Sequence, residues 1–243
     1  MRIIKKRILL ITPENKDINN FRKRQFNNFI QITMPYLAGF IDEEKYDITL
    51  IDEYNQKIPY ESHFDLVAIT VNTPNATHCY DISSRFRKQG SKVVMGGPHI
   101  SLLIDEAKQN CDYVIIGEAE ETWPQFLEDF LKGVPKSIYK SITAPKLNEL
   151  PIPKRHLVKK RFFNRGAVFA TRGCPYKCSY CNLKQIYHDS FRTRPINEVI
   201  EDIKNIKNRV PTQPTEISCA KTLVFLTSSN ARRKTSYISN YAL

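Results

Sequence analysis

Short apolar runs alternate with amphipathic stretches through the first 131 residues, and this alternation limits the fold more than any other feature. Lys6–Thr12, Tyr46–Glu53, Phe64–Val71, Lys92–Met95 and Asp112–Gly117 predict five strands. Runs this short, bounded by turn residues, suit strands covered on both faces. Helices are predicted between them at Met34–Asp42, Ala76–Gln89, Ser101–Gln109 and Glu120–Leu131, with Gly90 as a stop signal. Alternating strands and helices give a parallel sheet with helical layers. The expected class is therefore α/β, a flavodoxin-like doubly wound sheet. Ligands of such sheets bind beyond the carboxyl ends of the strands, at the switch point. That edge carries Thr12–Lys16, Asn72–Asn75, Gly96–His99 and Gly117–Glu121.

The chain has 243 residues, of which 41% are hydrophobic, enough for one large or two modest domains. No stretch approaches the roughly 20 apolar residues of a membrane span. The basic start, Met1 to Arg7, leads into an apolar run too short for a signal peptide. It reads as a first strand, and a cytoplasmic location is expected. The net charge is +12, and it is concentrated. From Lys132 to Arg165 there are seven lysines and three arginines against one acid, Glu149. Such a run can bind nucleic acid. Neither aromatic interleaving nor a nucleic-acid motif accompanies it, so a solvated linker is favoured. Pro135, Pro145, Pro151 and Pro153 disfavour helix there.

Three cysteines form one tight loop: Cys174, Cys178 and Cys181, spaced C-x3-C-x2-C within Thr-Arg-Gly-Cys-Pro-Tyr-Lys-Cys-Ser-Tyr-Cys-Asn. Three thiolates can hold three irons of a cubane cluster and leave the fourth open to a small molecule. A zinc site would need a fourth ligand, with His188 or Cys219 as candidates, but the spacing is not the usual pair of pairs. A disulfide would strand the third cysteine. Cys79 and Cys111 read as buried free thiols.

The cysteine run closely resembles the cluster loop of radical S-adenosylmethionine (SAM) enzymes. The resemblance implies a [4Fe-4S] cluster on Cys174, Cys178 and Cys181, with SAM on the open iron. Reduction of the cluster would cleave SAM to a 5′-deoxyadenosyl radical. Tyr180 matches the aromatic that lies near the adenine. The sheet edge resembles the cobalamin-binding domain that precedes many radical SAM barrels. Gly96-Gly97-Pro98-His99 resembles the loop after its fourth strand, and Gly117-Glu118 the segment after its fifth. The resemblance thus implies that Gly96, Gly97, His99, Gly117 and Glu118 line the cobalamin side, His99 as a loop residue and not a cobalt ligand. The chain departs from the family pattern Asp-x-His-x-x-Gly after the first strand, where Thr12–Asn19 has no histidine. A lower axial ligand is not supplied in that way.

Four segments are expected. Residues 1–131 form the cobalamin-binding-like domain, and 132–163 a linker that resembles the family's entry to the barrel. Residues 164–216 begin a radical SAM barrel, and 217–243 form an atypical tail. Gly166–Thr171 reads as the first barrel strand, and Ile196, Val199, Ile200, Ile203 and Ile206 mark a helical face behind Pro195. Thr222–Leu226 is a candidate second strand. The tail lacks the family's acidic segment, so the chain is expected to be truncated, with a shifted reading frame as one cause. The region after Asn164 is then expected to be poorly stable.

The leading functional expectation is a radical SAM enzyme, or a fragment of one, using cobalamin for methyl transfer or radical rearrangement of a small molecule. An electron donor such as flavodoxin or ferredoxin is implied. The alternatives are a corrinoid-binding remnant without catalysis and a radical SAM transferase acting on transfer RNA.

Overall fold

The computed structural model describes residues 5–17, 31–158, 165–176, 178–207, 214–220 and 223–228. Six strands make one parallel sheet: β1 (Lys6–Thr12), β2 (Tyr46–Asp52), β3 (Leu66–Thr70), β4 (Lys92–Gly96), β5 (Tyr113–Ile116) and β6 (Ile138–Lys140). Their order is β2-β1-β3-β4-β5-β6, the doubly wound arrangement. Helices α1 (Thr33–Gly39), α2 (Ala76–Lys88), α3 (Pro98–Leu102), α4 (Ile104–Asn110) and α5 (Ala119–Lys132) connect them.

Side chains alternate across a strand, and both faces here are apolar. Leu9 and Ile11 of β1 join Val67 and Ile69 of β3 in one core, under Cys79, Ile82 and Phe86 of α2. Ile8 and Leu10 join Leu66 and Ala68 in the other, under Met34 of α1 and Trp123, Phe126 and Leu127 of α5. Each fully buried Leu or Ile contributes roughly 1.5–3 kcal/mol. Burial therefore fixes both the register and the two-layer cover.

The five expected strands are present within a residue or two of their predicted ends. The helix expected at Ser101–Gln109 is instead two, α3 and α4, broken at Leu103 with φ −123° and ψ 63°. The basic connection supplies a sixth strand, β6, whose Ile138 pairs with Val114. It then runs along α1, where the Lys154 N–H donates to the Pro35 carbonyl at 2.8 Å. Its Lys154 ammonium reaches the Ile41 carbonyl at 3.0 Å.

The following part contains β7 (Arg165–Val168), β8 (Thr171–Gly173), α6 (Leu183–Ile186), β9 (Phe191–Thr193), α7 (Ile196–Lys207), β10 (Pro214–Ala220) and β11 (Leu223–Ser228). The strand expected at Gly166–Thr171 is divided between β7 and β8. β8 and β9 form an antiparallel hairpin whose long connection holds the cysteines. α7 packs Val199, Ile203 and Ile206 against Val168, as its periodicity predicted, while Ile196 and Ile200 stay exposed. β11 falls where a second barrel strand was expected, but it pairs antiparallel with β7, whereas neighbouring βα-barrel strands run parallel. Among the described residues this part shows the cysteine hairpin and its helix, and no parallel strand pair. The expected boundary at Asn164 and tail residues 229–243 lie outside the described residues. Among the described residues, no helix is long and apolar enough to cross a membrane.

A buried ion cluster ties the second part to the connection. The Asp202 carboxylate on α7 accepts from Arg155 Nη1 at 2.6 Å and from Arg194 Nη1 at 3.2 Å. The same arginines donate to the Ala167 and Phe169 carbonyls at 2.8 and 3.1 Å.

Candidate functional site

A cavity of about 500 Å³ opens at the carboxyl edge of the sheet. The four loops singled out by the sequence form its floor: Thr12 and Asn15, Asn72 and Asn75, Gly96 and Gly97, and Gly117 to Glu120. Tyr36, Trp123, Phe169, Arg172 and Tyr187 wall it from the sides. This is the switch-point crevice of a doubly wound sheet, where β1 and β3 carry their connections in opposite directions. Gly97 has φ +111°, and a Cβ there would lie 2.7 Å from the Val71 carbonyl oxygen. The Gly97 and Val71 backbones at the cavity floor thus approach as only glycine allows.

Of the predicted cobalamin-side residues, Gly96, Gly97, Gly117 and Glu118 line the cavity. The His99 ring turns away from it. Its Nδ1 lies 3.2 Å from Thr73 Oγ1 and its Nε2 3.5 Å from Glu106. Tyr180 is 86% exposed and also stands outside the lining.

Cys174, Cys178 and Cys181 lie in the connection between β8 and β9, and none forms a disulfide. Cys178 is exposed, while Cys174 and Cys181 are half-buried. The Cys181 N–H donates to the Cys178 carbonyl at 3.2 Å, a turn that folds the loop on itself. Among the described residues, no three His, Cys, Asp or Glu side chains are gathered into a metal-holding set. Three accessible soft thiols on one loop nevertheless suit an iron–sulfur cluster in their chemistry. Drawing them together would accompany cluster binding. The hairpin neck is tight, because a Cβ on Gly173 would fall 1.7 Å from the Ser190 carbonyl oxygen.

Hairpin and sheet meet through buried charge. Glu118 precedes α5, and its side chain is 1% exposed. One carboxylate oxygen accepts from Arg172 Nη1 at 3.1 Å and the other from Arg192 Nη2 at 2.5 Å. Arg172 Nη1 also lies 2.8 Å from Glu120 Oε1, to which the Tyr36 hydroxyl donates at 2.9 Å. The Arg172 guanidinium covers the Phe169 ring at 5.0 Å. Burial, and then the adjacent Glu120 carboxylate, push the Tyr36 phenol well up, so it remains a proton donor. Burial works against the Arg172 cation, but Glu120 and the other groups around it hold its pKa raised.

The sequence places Glu118 on the cobalamin side by resemblance, but it assigns no role to Tyr36, Arg172 or Arg192 and does not show that Glu118 meets the arginines of the hairpin. Arg172 stands two residues before Cys174, and Arg192 is its register partner across the hairpin. A basic residue beside each foot of a cysteine loop was the available signal.

Residues 27–127 match the family model described as the B12 binding domain. The chain is 33% identical over 189 residues to the bacteriochlorophyllide d C-12(1)-methyltransferase of Chlorobaculum tepidum, covering 74% of this chain and 41% of that one. It is 33% identical over 174 residues to the C-8(2)-methyltransferase of the same organism, covering 68% and 37%. It is 27% identical over 127 residues to the hopanoid C-2 methylase of Rhodopseudomonas palustris, covering 51% and 24%. The chain thus spans about two fifths of the length of the two bacteriochlorophyllide methyltransferases it matches.

Proposed function

Because its N-terminal domain belongs to the B12-binding family, we propose that this chain serves cobalamin-dependent radical SAM methylation of a small molecule. The carrying observation is the juxtaposition of a cavity at the switch point with a three-cysteine hairpin clamped to its rim. The relatives at 33% identity are named as methyltransferases, which favours methyl transfer over rearrangement. Bacteriochlorophyllide d, named for both, is the first acceptor to test.

The chain's own residues divide the work. Gly96 and Gly97 offer bare backbone at the cavity floor, where a broad ligand can lie against the sheet edge. Trp123, Phe169 and Tyr187 wall that space with aromatic surface. Cys174, Cys178 and Cys181 would hold the cluster, and Tyr180 would lie along SAM. When bound, the cluster supplies single electrons and the corrin carries a one-carbon group. Glu118, Glu120, Arg172 and Arg192 pair their charges between hairpin and sheet.

The test is an iron and sulfide count after anaerobic reconstitution, with hydroxocobalamin binding measured on the same protein. About four irons per chain, lost in Cys178→Ser, together with bound cobalamin, is the expected result. Tightly held zinc, or no metal in the folded protein, would sink the radical SAM reading. Cobalamin binding without iron would leave a corrinoid-binding module.

A further inference from the structure

We propose that Glu118 is a positioning residue that sets the cysteine loop over the cavity, by gripping both strands from which that loop springs. The inference rests on the functional reading above and names the group that fixes its geometry. The loop leaves β8 after Gly173 and returns at Phe191. Its two feet, Arg172 and Arg192, are register partners. Each donates to a different oxygen of the Glu118 carboxylate, at 3.1 and 2.5 Å. One acid on the sheet edge therefore holds both feet at once.

Glu118 is itself well anchored. It follows Gly117, whose N–H donates to Ser101 Oγ at 2.9 Å, and it opens α5. The carboxylate thus sits on backbone that also lines the cavity. Arg192 carries the hold further, because its Nη1 donates to the Pro145 carbonyl at 2.5 Å and its Nε to Ser190 Oγ at 2.9 Å. Arg172 has a second acid, Glu120, while Glu118 is the acid that Arg192 meets.

A buried ion network adds little net stability, since desolvation offsets its attraction, but it does impose a geometry. Two guanidiniums converging on one carboxylate fix distance and angle together. Glu118→Gln keeps the shape and removes the charge. Arg172 remains bound to Glu120, so the β8 foot stays, while the β9 foot loses its charged partner and keeps the Pro145 carbonyl and Ser190 Oγ. The loop then pivots without the sheet unfolding.

The experiment is an electron paramagnetic resonance measurement on the full chain, loaded with reduced cluster and cob(II)alamin. Both groups are paramagnetic, and their mutual coupling broadens the lines when they are close. Iron and cobalamin contents are determined first, and circular dichroism checks the fold. Wild type is expected to show the broadening. Arg192→Gln, at a position outside the cavity lining, is expected to lose it at unchanged iron and cobalamin content, Glu118→Gln to lose it in the protein that holds both groups, and Arg192→Lys, which keeps the charge, to retain part of it. Arg192→Gln gives the same reading if Glu118→Gln does not fold. Equal broadening in wild type and in the folded variant overturns the inference, as does no broadening in a wild type that holds both groups. A wild type that binds no iron or no cobalamin overturns the functional reading and this inference with it.

Discussion

Replacing Gly97 by alanine tests whether the cavity floor requires a bare backbone. The residue sits at φ +111°, and a Cβ would meet the Val71 carbonyl oxygen at 2.7 Å and its nitrogen at 3.0 Å. Val71 cannot give way easily. Its N–H donates to the Gly96 carbonyl at 2.8 Å, and its carbonyl accepts from the His99 N–H at 3.2 Å. Backbone strain at such a φ costs about 1–3 kcal/mol. Displacing packed neighbours costs about 1–3 kcal/mol more. The stiffer unfolded chain returns about 0.4–1 kcal/mol. At mid-range the net loss is about 3 kcal/mol, a large share of the roughly 5–15 kcal/mol typical of a domain. Gly90 provides the control, with φ +86° and nothing within 4 Å of its would-be Cβ. Gly90→Ala meets the left-handed penalty of about 1–2 kcal/mol without the overlap. Urea denaturation should show a midpoint lowered by about 1–3 M in Gly97→Ala, at a slope of about 1–3 kcal/mol/M. Gly90→Ala should lose well under half as much stability. Two variants within about 0.5 kcal/mol of each other, the usual span of neutral surface changes, would refute the argument from close approach.

Two more outcomes are expected. Asp202→Asn removes the charge of the carboxylate that Arg155 and Arg194 share, at 2.6 and 3.2 Å, and should destabilise the packing around it by about 3–5 kcal/mol. Limited proteolysis should then cut residues 165–207 faster while the sheet domain persists, and unchanged protection would count against the cluster. Burial works to raise the Asp65 carboxyl, but the Arg7 N–H and the Lys6 ammonium hydrogen-bonded to it outweigh burial and lower it. The stability it contributes is present above the ordinary value of 3.8 and fades as pH falls through the lower folded-state value. Acid unfolding curves of Asp65→Asn should lack that component, and a pH dependence identical to wild type would contradict it.

The sheet was legible in the sequence because β1 to β5 are short runs whose apolar side chains fill one core or the other. β6 was not, since three residues, Ile138 to Lys140, in a basic and proline-rich stretch carry no pattern of their own. Their place comes from the open edge of β5. The split between α3 and α4 was hidden for a similar reason, as Leu103 reads as helical and only its φ and ψ show the break. The cavity loops were legible from the ends of the strands. The clamp around Glu118 was not, because its partners lie 54 and 74 residues away. Periodicity reports which side chains are buried, and it is silent on which buried charges meet.

The strand order also bears on how the chain can assemble as it is synthesised. Once β1 and β2 have paired, each later strand of the sheet adds at one advancing edge, β3 on β1, then β4, β5 and β6 in the order they emerge. No strand has to be inserted between two already joined. The domain can therefore grow in step with the ribosome and close at Lys140, before the cysteines exist. The hairpin that carries them arrives at a finished surface, with Glu118 already in place to receive it.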